Sequence, residues 1–137
     1  PNWTIVDRGC ANFTQGEGQT YMENLLSEGT VKDIDVIISE NDNMIFGAMK
    51  ALDRNGKSYG PEGDIIMISF DALHESFENM MAGKLHATGE CNPLLASTVE
   101  TVIEELEAGR EVDKIYNTEE NIYTYENAAD YIDQRKY

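Results

Sequence analysis

Three polar clusters in this sequence carry side chains able to hold a ligand: Glu40-Asn41-Asp42-Asn43, Asp71, and Glu90-Cys91-Asn92. Each follows a short run rich in β-branched residues. Carboxylates accept hydrogen bonds and carboxamides supply a paired donor and acceptor, which is the chemistry a neutral polyol requires. An apolar plate for the C–H face of a sugar ring would complete such a site. Phe13, in the polar loop Ala11–Gly18, or Trp3 fits that part. The plainer use of Asn, Asp and Ser before a helix is capping. Capping is expected at Asp42, whereas Asn41 and Asp71 are expected to face a ligand.

Other chemistries fare worse. Clustered carboxylates also suit Mg²⁺-dependent phosphotransfer, with Asp42 and Asp71 as the acids. However, Lys50 and Lys57 fall away from the polar clusters, and no Walker-type glycine-rich loop is present. His74 and His86 are the only histidines, and neither accompanies a GxSxG nucleophile. With two cysteines, Cys10 and Cys91, a zinc site lacks ligands and a disulfide framework is undefined. No cofactor, metal or enzymatic activity is expected. The 26 acidic against 10 basic residues give a formal charge of -16, which repels phosphate backbones and argues against nucleic acid as a partner. No apolar run approaches the ~20 residues needed to cross a bilayer. Pro1-Asn2-Trp3-Thr4 shows no export signal, and the chain reads as cut from something longer.

The elements that must position these groups follow from periodicity. Trp3–Val6, Asp35–Ser39, Asp64–Phe70 and the weaker His86–Glu90 read as strands. Asp35–Ser39 is apolar on consecutive positions, as expected when both faces of a sheet are covered. Helical stripes run through Met22, Leu25 and Leu26, through Ile45, Ala48, Met49 and Leu52, and through Leu73, Phe77, Met80 and Met81. A further stripe, Leu95, Val99, Val102, Ile103 and Leu106, runs to Gly109, with Pro93 at the first helical position. Extended pieces near Val112–Tyr116 and Asn121–Tyr123 precede an amphipathic stretch, Glu126–Ile132. The predicted class is α/β, a parallel Rossmann-like sheet with flanking helices. In such a sheet the carboxyl ends of the strands converge on one edge.

Asp35 to Met44 followed by Gly47-Ala48-Met49-Lys50-Ala51-Leu52 resembles the "(A/E)NDxMAxGAxxAL" segment of sugar-binding proteins of ABC importers, of type I periplasmic binding protein fold. Ile68-Ser69-Phe70-Asp71-Ala72 is similar to their "(V/I)xxFD" strand end, and Met81 to Thr88 to "xxGKxxAT". Asn24-Leu25-Leu26 with Phe13 upstream is similar to "F…MxNLL". The resemblance covers nearly the whole chain in order. It implies the C-terminal lobe of such a protein, located outside the cytoplasm and partnered by a membrane permease. Phe13 would stack on a monosaccharide, a pentose or hexose, and Asn41 and Asp71 would bond its hydroxyls. Glu90 and Cys91 would occupy a polar hinge position that touches ligand, where many members have Gln at the position of Cys91. The wording around Glu90 leans towards hexoses, galactofuranose included.

The resemblance further implies residues 1–92 in the C-terminal lobe, 93–117 as a segment packing on an N-terminal lobe, and 118–137 as the return. The stripe over Pro93–Gly109 would then be uncovered, so self-association is expected. The effector-binding lobe of a LacI-type repressor shares this fold and is the alternative reading.

Overall fold

In the computed structural model, which describes residues 3–137, the first element is a helix, α1 (Gln15–Glu28). Thr14 opens it, accepting the Glu17 amide at 3.2 Å, and Gly29 closes it in the left-handed conformation. Next come β1 (Val36–Ile38), α2 (Asp42–Arg54), β2 (Ile66–Asp71), α3 (His74–Met81) and β3 (Ala87–Glu90). The chain ends with α4 (Ala96–Glu107), β4 (Ile122–Thr124) and a single-turn α5 (Ala128–Tyr131). The sheet order is β1-β2-β3-β4. β1, β2 and β3 run parallel, as the alternation of strands and helices predicts, while β4 joins β3 antiparallel.

α1 and α2 cross unusually closely, and two glycines allow it. A Cβ on Gly47 would lie 2.1 Å from the Gln15 carbonyl oxygen, and one on Gly18 would lie 2.4 Å from that of Met44. The crossing brings the amino ends of the two helices together, so the Phe13 loop sits beside Asn41.

The two faces of the sheet differ. Met67 and Ser69 of β2, Thr88 of β3 and Tyr123 of β4 share one face and are buried. They meet Ile45, Phe46 and Leu52 of α2 and Phe77 and Met80 of α3 in one core. The opposite face carries Ile38, Ile66, Phe70 and Ile122, between 41% and 73% exposed. α4 has no buried residue, and its Val99, Ile103 and Leu106 lie open.

Three expectations need correction. Trp3–Val6 forms no strand: it is exposed and runs past β1 across a cleft of about 990 Å³ without pairing to it. β-branched runs propose strands, but only a hydrogen-bonded neighbour makes one. α4 starts at Ala96, not at Pro93. Asn92 instead turns the chain there, its side chain accepting the Leu94 amide at 2.9 Å. The helix expected over Glu126–Ile132 shrinks to the single turn of α5, continued by a 3-10 turn, Ile132–Gln134.

Candidate functional site

The polar groups singled out by their spacing collect at the carboxyl edge of the sheet. Asn41 caps α2, its Oδ1 accepting the Met44 amide at 2.9 Å. Its Nδ2 donates to the Phe13 carbonyl at 3.2 Å, so the α1 loop and the α2 cap form one unit. Ser39 braces it from behind, donating to the Asn41 carbonyl at 2.7 Å. Asn12 and Phe13 both have positive φ, 46° and 58°, a tight entry to α1 that leaves the Phe13 ring 61% exposed. An exposed aromatic fixed by its own backbone is a fit plate for a sugar ring.

Asp71 ends β2 next to this unit. Its carboxyl is pushed above its ordinary value, first by burial and then by the charge of Asp42, while the Asp42 main-chain amide pulls the other way. It faces the start of α2 and is half-buried. Asp71 and Ala72 both have positive φ, 112° and 58°. Such conformations cost a side-chain-bearing residue about 1–3 kcal/mol each.

Asp42 is not the cap. It is the first residue inside α2 and fully buried. A capping residue stands just outside the helix, and Asn41 takes that place. Oδ1 of Asp42 accepts from the Ser69 hydroxyl and from Thr88 Oγ1 at 3.1 Å, and Oδ2 accepts from the Leu73 amide at 2.8 Å. Burial raises the Asp42 pKa, and these donors oppose the rise. Ser69, a lone hydroxyl in the apolar run of β2, is the sequence signal of this buried network, whereas Thr88 in Ala-Thr-Gly-Glu carries none.

Glu90 pairs with Asp71 in the β2–β3 register, but its carboxylate turns away from the edge. It accepts from Arg135 Nη2 at 2.9 Å, the Tyr137 hydroxyl at 2.6 Å, the Tyr123 hydroxyl at 3.2 Å and the Asn121 side chain at 3.3 Å. The side chains of Arg135 and Glu90 are 7% and 5% exposed. The guanidinium also stacks on the rings of Phe77, Tyr123 and Tyr137. Burial would raise the Glu90 pKa, but the Tyr137 and Arg135 hydrogen bonds and the Arg135 charge outweigh it and hold it below its ordinary value. Cys91, the next residue, is exposed and unbridged, as is Cys10. The structure therefore gathers Phe13, Asn41 and Asp71, leaves Cys91 at the rim, and commits the Glu90 carboxylate to the interior.

Neither histidine joins these hydrogen bonds. His86 Nδ1 accepts the Met67 amide at 3.1 Å, and burial lowers its pKa. His74 begins α3, 3.8 Å from Glu78. No group of three His, Cys, Asp or Glu among the described residues is arranged to hold a metal.

Known proteins resemble this chain in sequence and fold. Residues 1–127 match the family described as periplasmic binding protein domain. The galactofuranose-binding protein YtfQ of Escherichia coli (strain K12) is 27% identical over 138 residues, spanning 99% of this chain and 43% of its own length. The ribose import binding protein RbsB of Bacillus subtilis (strain 168) is 32% identical, over 80% of this chain and 34% of its own. Among solved structures, the periplasmic binding protein component of the arabinose ABC transporter from Shewanella sp. ANA-3, bound to α- and β-L-arabinofuranose, superposes with a TM-score of 0.87. It is 28% identical and is matched over 96% of this chain and 43% of its own. The chain spans less than half the length of these relatives.

Proposed function

Since the chain belongs to the periplasmic binding protein domain family, we propose that it forms one wall of a monosaccharide-binding cleft serving ABC import. The observation that carries this reading is the unit made by Phe13, Asn41 and Asp71. The main-chain carbonyl of the residue that carries the exposed ring is hydrogen-bonded to the helix cap, with a half-buried carboxylate beside them. Phe13 stacks on the ring of a pentose or hexose, and Asn41 and Asp71 bond its hydroxyls. Cys91 touches ligand from the rim, and Glu90 fixes the strand end behind it. Relatives that take galactofuranose, ribose and arabinofuranose support a furanose or pyranose of that size. The protein acts outside the cytoplasm and hands its sugar to a membrane permease, without catalysing a reaction.

Residues 93–117 belong to a second lobe, and residues 1–92 and 118–137 to this one. The open stripe of α4 supports that division. In the 137-residue chain alone, the stripe is covered by another copy.

The test is a calorimetric screen of pentoses and hexoses against the protein at its full encoded length. One sugar should bind, and Asn41→Ala and Asp71→Ala should each weaken it roughly tenfold or more, the cost of a lost hydrogen bond to or from a ligand. No binding, or binding untouched by both substitutions, overturns the assignment. Light scattering on the 137-residue chain well above micromolar concentration checks the second claim, and a monodisperse monomer sinks it.

A further inference from the structure

The most constrained backbone at the candidate site is the exit of β2, where Asp71 and Ala72 take positive φ in succession. Neither is glycine, so something must hold them there. The two amides that follow Asp71 are both held. The Ala72 N–H donates to Thr88 Oγ1 at 3.2 Å, and the Leu73 N–H donates to Asp42 Oδ2 at 2.8 Å. Thr88 in turn donates its hydroxyl proton to Asp42 Oδ1, which also receives the Ser69 hydroxyl. One buried carboxylate thus ties the first turn of α2 to β2, to β3 and to the strained exit between β2 and α3. Asp42, Ser69, Ala72 and Thr88 are all fully or almost fully buried, so water cannot replace these bonds.

We infer that Asp42 is a positioning residue for ligand binding: through Leu73 and, via Thr88, Ala72, it holds the β2 exit in its left-handed conformation and so keeps the Asp71 carboxylate at the start of α2, beside the Asn41 cap. Asp42 touches no ligand. It is fully buried behind the edge, and both its oxygens accept from protein donors. The inference rests on the sugar-binding reading for its functional half, while its conformational half stands on the chain alone.

Two readouts test it, on the protein at its full encoded length. Amide hydrogen exchange followed by NMR reports the clamp, and calorimetry with the sugar found in the screen above reports its effect. Asp42→Asn should speed exchange at Ala72 and Leu73 roughly tenfold or more and weaken sugar binding by a similar factor, since a buried bond to a charged group is lost. Thr88→Val keeps the side-chain shape and should speed exchange at Ala72, a second route should Asp42→Asn fail to fold. Ala72→Gly in the Asp42→Asn background should recover part of the affinity, roughly threefold or more, because glycine takes positive φ freely. A merely structural Asp42 predicts a lower melting temperature and no such rescue.

Unchanged exchange at residues 72 and 73 overturns the inference, as does unchanged affinity despite faster exchange, or no rescue by Ala72→Gly. A parent protein that binds no monosaccharide sinks the sugar-binding reading instead, and the exchange rates then decide the clamp by themselves.

Discussion

Both faces of the sheet carry large apolar side chains, and the two faces met different fates. On one, Met67 and Tyr123 disappear beneath α2 and α3. On the other, Ile38, Ile66, Phe70 and Ile122 stay open, and α4 carries an equally open stripe. A sheet meant to show one face to water alternates apolar with polar residues. β1 and the first half of β2 are apolar on consecutive positions, so the sequence prepares for cover on both sides. The difference teaches that amphipathic pattern reports where an element is suited to pack, not where a given chain packs it.

Substitutions on the packed side should be severe. Phe77 is fully buried, with its ring centroid 4.9 Å from that of Tyr123. Phe77→Ala should cost about 3–5 kcal/mol in urea denaturation. Arg135→Met leaves the Glu90 carboxylate buried without its charge partner and should cost about 3–5 kcal/mol. The pair also carries a pH signature. The Glu90 pKa is held below its ordinary 4.5, so its contribution is complete above that value and lost as pH falls through the lower folded-state value. Acid melts should show that loss in the parent and lack it in Arg135→Met. Gly47→Ala drives a Cβ against the Gln15 carbonyl, and separating α1 from α2 should cost about 1–3 kcal/mol by the same denaturation assay.

On the open side the same kind of change should scarcely register. Ile103 is half-exposed on α4, and in the 137-residue chain kept dilute enough to stay monomeric Ile103→Ser should shift stability by less than about 0.5 kcal/mol. A loss as large as that of Phe77→Ala would erase the contrast between the two regions. Asp71 gives the smallest effect and the opposite sign. Its folded-state pKa is raised, so ionisation costs stability as pH rises above its ordinary 3.8. Asp71→Asn should therefore raise the melting temperature slightly at neutral pH, even as it weakens ligand binding.

Most of the packed side was legible in the chain. The 3.6-residue stripes located α1, α2 and α3, and the apolar runs located β1 and β2, because each pattern is local. Trp3–Val6 failed as a strand because pairing is not local: the run has β-branched residues but no hydrogen-bonded neighbour. Asp42 was misplaced by one residue, since a cap and a first-turn acid look alike in sequence while their side chains face opposite ways. The Arg135–Glu90 pair left no signal at all. Its members lie 45 positions apart, with α4, β4 and α5 between them.

That pair has a mechanical consequence. Pulled from its last residues, the chain does not peel away turn by turn. Tension passes through Arg135 into Glu90 at the tip of β3, an inner strand bonded to both neighbours. Single-molecule stretching should record this as an early, acid-sensitive force peak, with the sheet giving way as a unit once the grip is broken.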